Sequence, residues 1–199
     1  MRRNAERKRH ELDLLCRTGA GLAPVAPALC RVVREMVGAE ACGLFWFDAQ
    51  GALEGMFHEH TNPQAQDLFL NEYERLFAGP GEINVANIAR GGPRIGQLLA
   101  PPASYWRSNT FNLLVRASGH HHSLDLRVDV DGSARAVLLL FRTRQQPFGP
   151  QAAAALARVE PYLRRAITHA PGAAWQAQPL HTGQVLLDER GERLLMCCP

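Results

Sequence analysis

Histidines at the ends of two predicted strands are the residues whose types and spacing could do chemistry. His58 and His60 close one strand, and His120 and His122 open another, each pair separated by one residue. Because side chains alternate along a strand, each pair lies on one face, whereas His121 lies on the opposite face. Four neutral imidazoles could bind zinc, iron or copper. The histidines could instead form a polar rim at the strand ends. We predict this polar rim and no metal site.

No other set of residues in the sequence matches a catalytic or phosphate-binding motif. The Gly-x-Ser-x-Gly motif of serine hydrolases is absent, and Cys30 and Cys42 lie among apolar residues, which favours core packing over nucleophilic catalysis. The glycine-rich stretches "AGPGE" and "ARGGPR" lack the phosphate-binding pattern GxxxxGK followed by Ser or Thr, and are interpreted as flexible loops. We therefore predict no catalytic residue, no cofactor and no enzymatic activity.

Aromatic residues concentrate in the first predicted hairpin and in the segment that follows it, where they suit either a ligand cavity or an ordinary core. In the cavity hypothesis, aromatic side chains form the walls, and His58 and His120 orient the ligand. The candidate pocket residues are Phe45, Phe47, Phe57, His58, Tyr73, Trp106 and His120. The ligand would be a small molecule, and the sequence does not show which alternate residues of "LFWF" face it.

The composition is that of a globular protein and excludes several function classes. Of the 199 residues, 46% are hydrophobic and 21% charged, with a net charge of +3, so neither global disorder nor a broad nucleic-acid-binding face is indicated. No apolar run approaches the roughly 20 residues that cross a bilayer, and the basic N-terminus lacks the apolar segment of a signal peptide. Five cysteines without paired motifs fit a reducing compartment. We expect a cytoplasmic protein with no membrane partner.

Hydrophobic spacing in the first half of the chain predicts the elements that position these residues. Helices are predicted for residues 6–18 and 24–37, and a hairpin for 41–59 with its turn over "DAQG". A helix follows over 64–77. Residues 78–103 are rich in Gly and Pro and predict a loop-rich excursion with short local structure.

The second half of the chain predicts a short helix, a second hairpin and a long helix. The short helix covers 104–118, and the hairpin strands are 124–130 and 134–142, joined by a tight Asp-Gly turn. The long helix covers 150–170 and is expected to kink at Pro161. Residues 1–170 are thus interpreted as one domain. Residues 171–199 are interpreted as a linker and a β-hairpin that could begin a truncated C-terminal region.

Two hairpins separated by helices favour an α+β fold with an antiparallel sheet. The N- and C-terminal helices are expected on one face of this sheet. The central helices and the Gly/Pro-rich loop are expected to form a roof over the other face. A sheet beneath a loop-rich roof can enclose a cavity for a small molecule.

Three stretches carry a resemblance to a known family. They are "GAEACGLFWFDAQGALEGMFHEH", "FLNEYERLF" and "FNLLVRASGHHHSLDLRVDVDGSARAVLLLFRTRQQPFGPQAAAALARVEPYLRRAI". Together, over residues 12–170, they resemble the GAF-like N-terminal sensor domain of LuxR-type helix-turn-helix transcription regulators. The tail "VLLDERGERLL" is similar to the segment that joins such a domain to its DNA-binding part. The resemblance implies a GAF/PAS-like fold, an unknown small-molecule ligand and a homodimer.

One departure from that family concerns DNA. No stretch of the sequence has the short inter-helix turn of a helix-turn-helix. DNA binding is therefore expected only through a C-terminal helix-turn-helix absent from this chain. We predict a signal-input and dimerisation domain of a bacterial LuxR-family regulator. Two alternatives stay open: a metal-binding sensor or enzyme that uses His58, His60, His120 and His122, and a ligand-free dimerisation scaffold.

Overall fold

A four-stranded antiparallel sheet, built from the two predicted hairpins, forms the centre of the fold. The computed structural model describes residues 2–60, 62–143, 145–169, 177–180, 183–187 and 193–197. The first hairpin consists of β1 (Ala41–Phe47) and β2 (Leu53–His58), and the second of β3 (His122–Val130) and β4 (Ser133–Arg142). The spatial order is β2-β1-β4-β3, so β1 and β4 are central. Both are apolar at most positions, as expected for strands that are covered on both faces.

Helices cover both faces of this sheet. Within the described residues they are α1 (Arg2–Arg17), α2 (Leu22–Val37), α3 (Pro63–Asn71), α4 (Tyr73–Leu76), α5 (Val85–Arg90), α6 (Pro150–Ala157) and α7 (Glu160–Thr168). A 3-10 turn (Tyr105–Arg107) and a π-helix (Thr110–Val115) lie between α5 and β3.

The N- and C-terminal helices α1, α2, α6 and α7 pack on one face of the sheet. The strand residues that point to this face are Cys42, Leu44, Leu124, Leu126, Val128, Ala136, Leu138 and Leu140. They form one buried cluster with Leu12 of α1, Leu29 of α2 and Leu163 of α7, none of which is exposed. The period-two alternation of β3 therefore points Leu124, Leu126 and Val128 into the core.

The second face of the sheet is covered by residues 62–120, which we call the roof. Its buried cluster joins Phe45, Phe47, Val137, Leu139 and Phe141 of the sheet to Val85, Ile88, Leu98, Tyr105, Phe111 and Val115 of the roof. Helices on one face and a helix-and-loop roof on the other confirm the predicted α+β class.

The roof is more divided than the sequence predicted. The helix predicted for 64–77 is two helices, α3 and α4, because the backbone leaves the helical region at Glu72 (φ −119°, ψ 19°). Residues 78–103 include the short helix α5. The predicted helix 104–118 is the 3-10 turn followed by the π-helix. α5 fits the short local structure predicted for residues 78–103. The helices predicted for 64–77 and 104–118 are instead each divided into two shorter segments.

The long helix predicted for 150–170 is broken at Pro161 rather than kinked. α6 ends at Ala157 and α7 begins at Glu160. Pro161 has no N–H to donate to the carbonyl of Ala157, and its ring would clash with that carbonyl. Pro161 instead occupies the first turn of α7. N–H groups in the first turn have no partner within the helix, so the missing N–H of proline costs no hydrogen bond there.

The C-terminal segments form a second antiparallel sheet of β5 (Ala177–Leu180), β6 (Gly183–Leu187) and β7 (Arg193–Cys197), in that order. The predicted C-terminal hairpin corresponds to β6 and β7, and β5 falls in the stretch interpreted as a linker. The domain division at residue 170 stays a prediction, and the rest of 170–199 lies outside the described residues. Among the described helices, none has the length and apolar character needed to span a bilayer.

Candidate ligand-binding site

A cavity of about 110 Å³ lies between the roof and the sheet. The sheet contributes Phe45, Met56, His58, Ser123, Leu139 and Phe141. The roof contributes Asn62, Ala65, Gln66, Phe69, Ile83, Asn84, Val85, Leu98, Tyr105, Thr110, Leu114, Val115, Ser118 and His120. A largely apolar lining with a few polar groups is the usual composition of a small-molecule site.

The absence of a side chain at Gly43 makes room for His58. The two residues are cross-strand neighbours in the β1–β2 pair. A Cβ at position 43 would lie 2.7 Å from Cδ2 of the His58 ring and 3.3 Å from Cε2 of Phe45. Real Cβ atoms essentially never approach another atom as closely as the first of these distances. The imidazole therefore lies over the backbone of β1 and reaches the cavity wall.

His58 and His120 lie against the same aromatic ring in the cavity wall. Their ring centroids are 5.2 Å and 5.3 Å from the centroid of Phe141. Burial lowers the pKa of His58; a hydrogen bond with the Glu59 backbone raises it, and nearby His120 lowers it. Burial also lowers the pKa of His120, against the opposite effect of the Glu40 carboxylate. Both imidazoles are therefore favoured in the neutral form, which can both donate and accept a hydrogen bond.

Tyr105 and Ser123, which both line the cavity, each carry a buried hydroxyl. Tyr105 is 2% exposed and Ser123 is 5% exposed. Burial raises the pKa of Tyr105 far above its usual range, and the neighbouring Ser123 hydroxyl lowers it by less. Although the two hydroxyls are neighbours, no hydrogen bond of ordinary geometry reaches either one from the residues that the structure describes. Buried polar groups normally have partners, so these hydroxyls are candidates for ligand contacts.

Asn84 organises the roof above the cavity. Its side-chain oxygen accepts hydrogen bonds from Ala86 N at 3.1 Å and Asn87 N at 3.3 Å, which caps α5. Its amide nitrogen donates to Phe77 O at 2.9 Å. Asn84 therefore fastens α5 to the end of α4. Its polar atoms hold the roof in place and are largely used in doing so.

The π-helix Thr110–Val115 forms another part of the cavity wall. Arg116 N donates to Phe111 O at 2.8 Å, which is the five-residue spacing of a π-helix. The Glu82 carboxylate accepts from Thr110 N at 2.8 Å and so caps the first turn. Helices of this type are rare and frequently occur at functional sites.

Residues 94–99, which we call the strap, run along the free edge of β3, where Ile95 forms an antiparallel bridge with Leu126, and carry Leu98 to the cavity. The Asp125 carboxylate accepts from Leu98 N at 2.6 Å and from Gln97 N at 3.1 Å. Gly96 N donates to the Asp125 backbone oxygen at 3.0 Å. Asp125 is fully buried; burial raises its pKa, and the bonds from Leu98 N and Gln97 N lower it. This side chain and the backbone bonds of Gly96 and Arg127 together fix the strap to β3.

Three of the predicted pocket residues line the cavity: Phe45, His58 and His120. Phe57 does not, because it packs with the core on the helix side of the sheet. Phe57 and His58 are consecutive residues of one strand, so they point to opposite faces and cannot line the same cavity.

The other predicted pocket residues lie in the roof cluster or behind it. Phe47 is buried on the roof face of β1 but not at the cavity. Tyr73 packs edge-on against Phe69, with ring centroids 5.5 Å apart, and Phe69 lines the cavity in its place. The Trp106 ring stacks on His121 at 5.0 Å. Whether any of the seven predicted residues contacts a ligand stays a prediction.

Sequence reasoning missed the two hydroxyl residues. Ser123 shares its strand face with Asp125, and this alternation is visible in "SLDLRVDV". A signal for Ser123 was therefore present once the roof face of β3 was identified. Tyr105 precedes Trp106 in a stretch without clear periodicity, so nothing in the sequence indicated which of the two aromatic residues faces the cavity.

The histidines do not come together as a metal site. In the described parts of the chain, no group of three or more His, Cys, Asp or Glu side chains is placed to hold a metal ion. His58 and His120 face the Phe141 ring, and His122 is paired with Arg142 in the edge strand. The structure thus gives no support to the alternative site of His58, His60, His120 and His122.

No family model and no curated protein matches the sequence. Similar solved structures include the GAF3 domain of a Synechocystis protein in its photoproduct state, with 14% identity, a TM-score of 0.46, and coverage of 73% of this chain and 90% of that chain. Another is the N-acylhomoserine-lactone-dependent LuxR-family transcription factor CepR2 of Burkholderia cenocepacia, with 15% identity, a TM-score of 0.46, and coverage of 79% and 93%.

A fragment of a methyl-accepting chemotaxis protein is also similar, with 14% identity, a TM-score of 0.32, and coverage of 78% of this chain and 95% of that chain. The similar structures thus include a GAF domain and a LuxR-family regulator, at low sequence identity. Likenesses this distant say nothing about a ligand, so function is inferred from the cavity.

Proposed function

We propose that the described domain binds a small molecule in the cavity between sheet and roof, and that it is the signal-input domain of a bacterial LuxR-family transcriptional regulator. The observation that carries the binding function is the cavity of about 110 Å³, whose lining residues Tyr105 and Ser123 carry buried hydroxyls without a partner among the described residues. The sequence resemblance supplies the regulator class. A ligand shifts the conformation of such a domain only if it binds one conformation more tightly than another.

The roof is the part of the domain whose conformation a ligand would bias. It is held to the sheet by its buried apolar cluster and by a few hydrogen bonds, such as those from Leu98 N and Gln97 N to Asp125. A ligand that contacts Ser123 on the sheet and Tyr105 on the roof would stabilise the arrangement of roof and sheet that the structure shows. The alternative of a ligand-free dimerisation scaffold predicts a filled core. The cavity between roof and sheet therefore disfavours it.

We assign no reaction to this site, and propose that the domain is not an enzyme. Burial raises the pKa of Cys16 to about 12 and raises that of Cys42, which disfavours the reactive thiolate form. Measurable turnover by the purified chain would contradict this part of the proposal.

Substitution Ala65→Leu tests the binding function. Ala65 is buried on α3 and lines the cavity, so a leucine there fills the cavity with only a small loss of helix propensity. Thermal unfolding is measured with a panel of neutral metabolites, because a ligand that binds only the folded state raises the melting temperature. We expect a compound that raises it for the natural sequence and not for Ala65→Leu.

The matched control is Ala154→Leu, on the exposed side of α6. It must retain the response to the same compound. If no compound acts, or if every active compound acts equally on both variants, the cavity is not a ligand site.

The homodimer implied by the resemblance is part of the proposal. LuxR-type regulators read two half-sites, so a sensor domain that dimerises would match the symmetry of the DNA. Light scattering of the purified chain should give twice the mass of one chain at high concentration. A mass of one chain at every concentration would contradict this proposal. The predicted helix-turn-helix is tested separately, by reading the gene downstream of Pro199.

A further inference from the structure

The lining of the cavity carries no formal charge among the residues that the structure describes. None of its lining residues is Asp, Glu, Lys or Arg. The two histidines in it are favoured in the neutral form, because burial lowers the pKa of both. Burying a charged group without a charged partner costs far more free energy than burying a neutral one. The site is therefore built for a neutral molecule.

The size and the aromatic walls of the cavity restrict the ligand further. Its volume is about 110 Å³, which is similar to the engineered cavities of about 150 Å³ that bind benzene. The aromatic residues Phe45, Phe69, Tyr105 and Phe141 line this space. Aromatic rings favour edge-to-face and offset contacts with another ring. A single six-membered ring therefore matches both the volume and the walls.

Two buried hydroxyls determine which substituent the ring must carry. Tyr105 Oη and Ser123 Oγ each have one proton to donate. Even if one of them bonded to the other, one O–H donor beside the cavity would stay without an acceptor among the described residues. An oxygen on the ligand, in a hydroxyl or a carbonyl group, would accept this hydrogen bond. A ligand without such an oxygen would leave the donor buried and unsatisfied, which lowers its affinity.

We propose that the cavity binds a neutral aromatic compound of one ring, and that Tyr105 and Ser123 hold its hydroxyl or carbonyl oxygen by hydrogen bonds. This inference rests on the proposed function, because it names the class of ligand for the same cavity. His58 and His120 lie against Phe141, where they can contact the ring without requiring a charge on it.

Isothermal titration calorimetry of the full 199-residue chain with three probes tests the ligand class. Phenol has the ring and the oxygen, toluene has the ring alone, and benzoate has the ring with a negative charge. We expect phenol to bind most tightly, toluene about three- to tenfold more weakly because the hydroxyls lose their partner, and benzoate not to bind.

Substitutions Tyr105→Phe and Ser123→Ala assign the oxygen contact to these residues. Each removes one hydroxyl and keeps most of the side chain's shape. Each should weaken phenol binding about three- to tenfold and leave toluene binding unchanged or stronger. The control Tyr162→Phe, on α7 at the other face of the sheet, should leave the affinities for all three probes unchanged. Circular dichroism of each variant verifies that it folds.

The possible failures separate this inference from the proposed function. Equal binding of toluene and phenol, or tightest binding of benzoate, would overturn the ligand class. Equal effects of Tyr105→Phe on phenol and toluene would overturn the oxygen contact. In each case the proposed function stands if Ala65→Leu abolishes the binding. If none of the three probes binds but a panel compound does, only the ligand class falls; if nothing binds, both proposals fall.

Discussion

At the scale of single residues, the position of His58 depends on a neighbour that has no side chain. Gly43 lies beside His58 across the β1–β2 pair, and the imidazole occupies the space that a Cβ would fill. The backbone of Gly43 is not in the left-handed region, so its role is spatial rather than conformational. A glycine in a strand interior commonly marks such a close approach.

Substitution Gly43→Ala should therefore displace the His58 ring and weaken ligand binding in the cavity. We expect a loss of about 1–3 kcal/mol in the free energy of unfolding, the usual cost of overpacking. Urea denaturation measures this loss. Gly79→Ala is the control, because a Cβ at Gly79 meets no atom within 4 Å. Equal losses in the two variants would show that the His58 contact is not the cause.

Acidification should destabilise the domain through His58 and His120. Burial lowers both pKa values, so the folded state favours neutral imidazole. In the unfolded chain these imidazoles have a pKa of about 6.5, so they bind protons at a higher pH than in the folded state. Their contribution to stability is therefore complete above the unfolded pKa and is lost as pH falls through the lower folded pKa. The free energy of unfolding should drop between about pH 7.5 and about pH 5, and the drop should shrink in the double variant His58→Gln, His120→Gln. The exposed His169→Gln should leave it unchanged.

At the scale of elements, the strap and the π-helix show how the roof is attached. Each is held by a carboxylate that accepts hydrogen bonds from backbone N–H groups: Asp125 for the strap and Glu82 for the π-helix. Neither segment has the periodicity of a regular element. In the strap, these side-chain hydrogen bonds add to the backbone bonds that Gly96 N donates to Asp125 O and Arg127 N donates to Arg94 O.

Substitution Asp125→Ala should loosen residues 97 and 98 of the strap, while its backbone bonds with Asp125 and Arg127 remain. It leaves the N–H groups of Leu98 and Gln97 without an acceptor, which should cost about 2–4 kcal/mol. Hydrogen exchange at these two amides should accelerate. Asp48→Ala is a matched control, because Asp48 also accepts from two backbone N–H groups, those of Gln50 and Ala52, but in an exposed turn. Water can replace its bonds, so a loss below about 1 kcal/mol is expected. A similar loss in both variants would contradict the role of burial.

At the scale of the whole molecule, α1 closes the helix side of the core. It packs against both α2 and α7, and Asp13 accepts a hydrogen bond from Arg165 of α7 at 2.6 Å. Ion pairs at a surface contribute little to stability. The buried Leu12 and Leu15 are therefore the main reason that α1 stays attached.

Leu12→Ala should cost about 2–5 kcal/mol in unfolding free energy, since it leaves a cavity in the main core. Leu14→Ala, two residues further in the same helix and 44% exposed, should change it by less than about 0.5 kcal/mol. Thermal or urea unfolding distinguishes the two. Equal effects would mean that α1 does not belong to the folded core.

The sequence by itself determined the sheet and the helices that pack behind it. Regular alternation in β3 specifies its buried face, and the continuous apolar runs in β1 and β4 indicate central strands, because strand periodicity is a local property. The Asp-Gly turn between β3 and β4 was predicted correctly for the same reason, since both its residues adopt positive φ.

Only the tertiary structure decided which side chains share the cavity. Phe57 is excluded because its strand face belongs to the helix side, whereas Ser123 and Tyr105 meet although they come from different elements. The roof segments between α3 and β3 lack a repeating pattern, and their positions follow from individual hydrogen bonds to Asp125, Asn84 and Glu82. Contacts of this kind join residues distant in the chain, so local periodicity cannot predict them.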